Sequence, residues 1–290
     1  MGNFKEKLGK YLKILFWVII IAIIIKAFAI DAFRIPSTSM ENTLQPGDFI
    51  LANKFAYNIS TPREIPFLGI PIDQYKFFEV SKPKINDIVI FEFPTGFEKD
   101  PMMGGSKYIK RIIAGPHDTL KITDGKIYVN GKSILLPSTF IKPKLLDEDE
   151  TIPAESIYPP GAKWNRISYG PIIIPGKGDK IQITPENFER WQSVIVMDHG
   201  ERSLLVEGTI VTLDGRAISE YVLHQDHYFV IGDNFEVSMD SRNFGFITDN
   251  MIVGKAMFIY WSYNSDKVAP GILGFLSAIR ADRIFKGFNE

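Results

Sequence analysis

The sequence predicts a mainly β protein: antiparallel sheets with a loop-rich β insertion, one N-terminal transmembrane helix and a short C-terminal helix. After residue 31 the chain runs as short stretches rich in β-branched and aromatic residues, "NDIVIFEF", "KYIKRIIAG", "DTLKITDGKIYVNGKSI", "EGTIVTLDGRAI", "DHYFVIGDN" and "GKAMFIYWSY", each bounded by turn residues. Asp124-Gly125, Asn130-Gly131 and Asp214-Gly215 suit two-residue hairpins, because both central residues of a type I′ turn need positive φ. Leu12 to Ile30 is apolar apart from Lys13 and Lys26, close to the roughly 20 residues a helix needs to cross a bilayer.

Composition narrows the classes of function. A chain of 290 residues, 45% hydrophobic and 13% aromatic, is long enough for one large domain or two smaller ones with cores. A formal net charge of -1 supplies no basic face for phosphates, so nucleic acid is not an expected partner. With no cysteine, disulfides, thiolate nucleophiles and cysteine zinc sites all drop out, and a nucleophile must be a hydroxyl, amine or carboxylate. His224-x-x-His227 is a close pair with no carboxylate at a recognisable zinc spacing, so neither metal nor cofactor is expected.

Taken in order, residues 1–30 read as a cytoplasmic N-terminus and membrane anchor. Lys5, Lys7, Lys10 and Lys13 against Glu6 keep the N-terminus inside and send the chain beyond residue 30 outside, and Lys26 snorkels to the interface. A cleavable signal peptide ending at Ala27-Phe28-Ala29 is the rival reading; Lys26 and Phe28 are ill suited to such a site. Residues 31–132 and 225–265 form the main β-domain, 133–224 an inserted subdomain rich in loops and strands, and 266–290 a C-terminal tail. Within the insertion, Thr184 as N-cap and Pro185 at the first helical position predict a helix from Pro185 to about Val196. The acid run Asp147 to Glu150 reads as a solvated loop. "GILGFLSAIRADRIFKGF" reads as an amphipathic surface helix with Arg280, Arg283 and Lys286 on its basic face, a membrane-surface role being the lesser alternative.

The chemistry-bearing stretches are each ordinary alone. In "RIPSTSMENTL", Thr38-x-x-Glu41 fits a capping box. The same stretch supplies serine hydroxyls, which need a base; without a neighbouring histidine or aspartate the remaining base is a neutral lysine amine. Lys110 in "KYIKRIIAG" is the candidate, sharing one strand face with Tyr108 and Ile112 while Ile109, Arg111 and Ile113 share the other. On a buried face, lowering its pKa from about 10.4 to near 7 disfavours the ammonium by roughly 4 to 5 kcal/mol, within the reach of desolvation. On an edge strand Lys110 and Arg111 would simply be solvated. "VIGDNFEVSMDSRNFGFI" opens on a Gly-Asp-Asn turn and then places Ser238, Asp240 and Arg242 at alternate positions, which on its own reads as a loop held by an ion pair.

Together, in this order and behind an anchor, these stretches resemble the bacterial type I signal peptidases, Ser-Lys serine endopeptidases. "IPSTSMENTL" is similar to the nucleophile box, "KINDIVIFEFP" to the next strand, "YIKRIIAG" to the lysine box and "GDNFEVSMDSRNFGFI" to the last box. The resemblance implies a signal-peptidase-like β-domain held on the outer face of the bacterial inner membrane by a single pass, whose partners are precursor proteins bearing signal peptides and the lipid bilayer. It implies Ser39 as nucleophile, Lys110 as general base, an oxyanion hole from the Ser39 amide and the Ser37 hydroxyl, Ser238 orienting the lysine, and Asp240 and Arg242 supporting the loop. Phe33, Ile35, Met40, Leu44, Tyr108 and Ile109 fall where the family lines pockets for the small residues of an A-x-A cleavage site. The sequence departs from the family at Glu41, where proline is usual, at Asn86, where glycine is usual, and at Phe235-Glu236-Val237, where an arginine and an aspartate are lost. A specialised Ser-Lys processing peptidase of pilus or conjugation type, or an anchored β-domain that binds exported proteins without cutting them, are the alternatives.

Overall fold

The computed structural model describes residues 2–65, 69–72, 74–93, 106–141, 157–199, 204–264, 267 and 271–288. Helix α1, Gly2–Ile24, continues as a wider π-helical turn, Ile25–Ala29, and hands over without a linker to strand β1, Ile30–Arg34. From Lys7 to Ala29 it is long and apolar enough to cross a membrane, and almost none of it packs against the rest of the protein, as suits a helix facing lipid.

The architecture is mainly antiparallel β. A seven-stranded sheet has the order β1, β2 (Asp48–Asn53), Ile252–Ser262, Ile88–Glu92, Lys107–Ala114, His227–Ile231 and Ile247–Thr248, with every neighbouring pair antiparallel. β2 alternates buried and half-buried residues, whereas Ile88 to Phe91 and His227 to Ile231 are buried throughout, the pattern of strands covered on both faces. Residues of β1 and of the Lys107–Ala114 strand, far apart in the strand order, line one cleft, so the sheet is strongly curled.

A second, four-stranded sheet runs Lys132–Ser133, Lys126–Val129, Thr119–Thr123 and Tyr169–Ile173. Its hairpins turn at Asp124-Gly125 (φ 49° and 72°) and Asn130-Gly131 (φ 52° and 75°), and Asp214-Gly215 (φ 51° and 72°) closes a further hairpin between Ile210–Leu213 and Arg216–Ile218. Because Thr119–Thr123 pairs with Tyr169–Ile173, the hairpins of residues 119–133 sit with the insertion rather than with the large sheet. The inserted helix is Phe188–His199. It starts later than Pro185 because Asn187 Oδ1 accepts the Thr184 amide at 2.9 Å and draws the preceding residues into a turn.

The tail departs most from its sequence reading. Among its described residues only Ile272–Ser277 is α-helical, followed by a 3-10 turn at Ala281–Arg283. Arg280 and Arg283, read as the basic face of a surface helix, turn inward to fully buried Asp48. Arg283 forks onto it at 2.6 and 3.1 Å and donates to the Thr43 carbonyl at 3.0 Å. Arg280 reaches Asp48 at 3.2 Å, the Gln45 side chain at 2.9 Å and the Pro46 carbonyl at 2.7 Å. A carboxylate without water has to be met by cations and donors, and here the chain end supplies them. The acid run Asp147 to Glu150 lies outside the described residues.

Candidate active site

The site begins where β1 ends. The ladder with β2 extends one step, Ile35 donating to the Asp48 carbonyl at 2.8 Å and Gly47 to the Ile35 carbonyl at 3.0 Å, and the chain then folds into tight turns. Glu41 donates to the Thr38 carbonyl at 2.9 Å and Leu44 to the Met40 carbonyl at 2.7 Å, with Asn42 at φ 72°. The capping box expected of Thr38 and Glu41 is not made: no helix forms here, and the Glu41 carboxylate instead accepts from the Asn234 side chain at 3.1 Å. Met40 and Leu44 are plugged into the core beneath, which holds Ser39 at the surface of the turn.

The Gly-Asp-Asn turn grips the same loop from the other side. Asn234 donates its amide to the Ser39 carbonyl at 3.0 Å. At Gly232 an added Cβ would lie 2.4 Å from that carbonyl and 2.3 Å from Ser238 Oγ, so only glycine permits this approach. Asp233, fully buried, takes a bidentate pair from Arg111, Nε to Oδ1 at 2.7 Å and Nη2 to Oδ2 at 2.6 Å, while Arg111 Nη1 donates to the Asn86 carbonyl at 2.9 Å. Thr43 also donates to Asp233, which ties the nucleophile-box loop to the turn.

Lys110 enters from the Lys107–Ala114 strand, only 3% exposed. Its Nζ lies 2.7 Å from Ser39 Oγ, and Ser37 Oγ lies 3.4 Å from the same oxygen. Burial pushes the lysine pKa down to about 8; the Asp240 and Asp233 carboxylates pull it back up, and the Arg242 charge pushes it down again. The Asp240–Arg242 pair is completely buried, with Nε to Oδ1 at 2.8 Å and Nη2 to Oδ2 at 2.7 Å. Burial alone would raise the Asp240 pKa, but Arg242, with help from Arg166 and Ser238, holds it below the usual carboxylate range. Asp240 also caps the short helix Ser241–Phe244 in a capping box with Asn243. Ser238 is fully buried, yet its hydroxyl makes no well-formed hydrogen bond, to Lys110 or to any other group among the described residues, although it lies near enough to Asp240 to influence it.

Beside these residues opens a cleft of about 440 Å³ lined by Phe33, Ile35, Met40, Tyr108 and Ile109, with Ile90 and Lys107. Leu44 does not line it, being fully buried in the core below. The departures at Asn86, Glu41 and Phe235 each find a local role. Asn86 sits at φ 74°, a left-handed position that asparagine tolerates in place of glycine. Glu41 braces Asn234. Phe235 lies under the Arg242 guanidinium, its ring centroid 3.7 Å from Cζ. His224 and His227 face different partners, Asp198 and the Gln225 carbonyl.

Sequence reasoning missed Arg111 as a partner of Asp233, and Arg166, which donates from the insertion to the Ser238 and Phe235 carbonyls. The only local signal for the first was a charged residue within each box.

A family model described as "Signal peptidase, peptidase S26" matches residues 8–261. Signal peptidase I of Pseudomonas aeruginosa is 26% identical over 279 residues, covering 92% of this chain and 77% of its own. That of Pseudomonas fluorescens is 27% identical over 278 residues, with 92% and 77% covered; that of Aquifex aeolicus is 27% identical over 272 residues, with 92% and 89% covered. The matched span runs from the apolar helix through nearly all of the last long strand, and it contains both Ser39 and the buried amine beside it: the chain belongs to the S26 signal peptidase family, peptidases that remove signal peptides from exported precursor proteins.

Proposed function

We propose that this peptidase works with Ser39 as nucleophile and Lys110 as general base, from a single-pass anchor whose N-terminus is cytoplasmic and whose β-domain stands on the outer face of the bacterial inner membrane. The observation that carries this is the 2.7 Å approach of Lys110 Nζ to Ser39 Oγ, with the amine buried and its pKa lowered to about 8. A neutral amine has a lone pair to accept the serine proton, whereas an ammonium has none.

As Ser39 Oγ bonds to the scissile carbonyl carbon, its proton passes to Lys110 Nζ. The carbonyl becomes an oxyanion facing the Ser39 N–H and the Ser37 O–H, donors that contribute about 3 kcal/mol each when aimed at developing charge. The C–N bond then breaks, and Lys110 returns the proton to the leaving amine. Water, deprotonated by the same amine, hydrolyses the acyl-enzyme. Asp240, Arg242 and Ser238 shape the loop behind the lysine.

Substrate fits as an added strand. Among the described residues β1 pairs only with β2, and residues 107–110 pair with Ile88–Glu92 but not with His227–Ile231, whose pairing starts at Arg111. Both backbones therefore offer open edges at the cleft, while Phe33, Ile35, Met40, Tyr108 and Ile109 leave room for alanine-sized side chains, hence cleavage after A-x-A. The test is cleavage of an A-x-A precursor in detergent micelles with the product N-terminus sequenced. Wild type cuts after the second alanine and Ser39→Ala does not; a folded wild type that releases no product sinks the proposal.

A further inference from the structure

The join between anchor and β-domain is bridged by a side chain of the β-domain. The π-helical turn Ile25–Ala29 ends the helix, and Ala27 is the buried residue in it. Carbonyls at a helix C-terminus lack intrahelical donors and carry the negative end of the dipole. Lys54, on the 3-10 turn that comes after β2, reaches across and donates to the Ala27 carbonyl at 2.6 Å, with the Lys26 carbonyl at 3.5 Å.

The base of Lys54 is firmly seated. Asn53 pairs with Ile30 on one side and Lys255 on the other. Gly254 lies so close that a Cβ there would meet the Asn53 carbonyl at 2.7 Å and Lys54 Cα at 3.3 Å. Asn53 Oδ1 accepts the Phe55 amide at 2.8 Å and fixes the turn. Burial lowers the Lys54 pKa, as do Lys107 and Arg63, while Asp31 and Glu64 oppose. Lys54 is not among the residues that line the Ser39 cleft.

We propose that Lys54 is a positioning residue that locks the β-domain to the C-terminal end of the anchor, setting the height and tilt of the Ser39 cleft over the bilayer. This rests on the anchored Ser-Lys reading above. The covalent join is the step from Ala29 to Ile30, into a strand already paired with β2 from Ile30 onward; Lys54 adds a second hold on the helix end. A precursor whose signal segment is embedded in the same bilayer presents its cleavage site at a fixed depth, so a tilted domain loses effective concentration toward it but keeps its chemistry.

The experiment uses the full chain in liposomes, with Lys54→Met to remove the donor while keeping the stem, and Lys54→Arg to restore one. Two substrates are compared: an A-x-A precursor embedded in the same vesicles, and a short soluble peptide carrying that site. Lys54→Met lowers kcat/KM for the embedded precursor by about tenfold or more, the scale on which orientation and effective concentration act, leaves the peptide unchanged, and is rescued by Lys54→Arg. Because the chain has no cysteine, spin labels at Trp17→Cys and Tyr75→Cys, both exposed positions, report the anchor-to-domain distance. That distribution is narrow in wild type and broadens in Lys54→Met. An equal loss on both substrates, or an unchanged distance distribution, overturns the proposal. If wild type cuts neither substrate, the Ser39–Lys110 assignment falls, and the distances still decide the role of Lys54.

Discussion

Lys110 and Arg111 are neighbours on one strand, 3% and 1% exposed, and the protein treats their charges in opposite ways. Arg111 forks onto Asp233, the geometry in which a guanidinium tolerates burial. Lys110 meets a hydroxyl instead. The carboxylates that could hold its proton, Asp240 and Asp233, are already bound by Arg242 and Arg111. They still pull the lysine pKa upward, but less than burial pushes it down. With arginines occupying the carboxylates around it, the buried amine keeps a lowered pKa, which is what the proposed base role requires.

The largest test of this contrast removes the amine. Lys110→Ala loses precursor cleavage by about 10⁴-fold or more, as deletion of one member of a concerted pair does, with an unchanged circular dichroism spectrum. Holding the lysine at a pKa of about 8 costs about 3 kcal/mol at neutral pH. Lys110→Met, which keeps the volume without the charge, therefore raises the chemical-denaturation midpoint at pH 7. The sign comes from the unfolded chain binding the proton more tightly. The penalty is full below pH 8 and fades between pH 8 and the ordinary lysine value of 10.5, so wild-type stability rises across that window and Lys110→Met stability lacks that rise. A flat difference from about pH 7 to about pH 10 would contradict the buried-amine account.

Arg111→Met comes next. Removing one partner of a buried ion pair destabilises by about 3 to 5 kcal/mol, read from urea titration. It also frees Asp233 to hold the Lys110 proton, so in the fraction that stays folded the pH–rate curve moves to the alkaline side, and activity near pH 7 falls more than activity near pH 9. Arg242→Met shifts the curve the same way through Asp240. For wild type, kcat/KM rises with pH toward a half-maximal point near 8; a profile flat from about pH 6 to about pH 9 would mean that Lys110 does not titrate as the base. The smallest effect is that of Glu41→Ala, which loses the Asn234 contact at about 1 kcal/mol and changes the cleavage rate only a few-fold, since Asn234 still holds Ser39 through its backbone amide.

How much of this is legible in the sequence depends on the range of the signal. The anchor, the hairpin dipeptides and the strand boxes are written in consecutive residues: apolar length, positive-φ pairs and two-residue alternation are properties of a short window. Ser39 and Lys110 stand out as candidates because each sits in such a window and the boxes occur in order. The capping box at Thr38 and Glu41 fails as a reading because a distant donor, Asn234, claims the carboxylate that the local pattern assigns to a helix start.

Consecutive residues are enough to specify a membrane-length helix, a run of antiparallel strands and a short catalogue of residues able to do hydroxyl chemistry. It took the folded arrangement to bury Lys110 rather than leave it solvated, to put Leu44 in the core and not the cleft, and to close Arg283 on Asp48 across 235 residues. Burial and charge pairing depend on what the rest of the chain packs against a residue. That information lies in no window of the sequence, and it is what lowers the pKa of one buried cation while its neighbour is held in an ion pair.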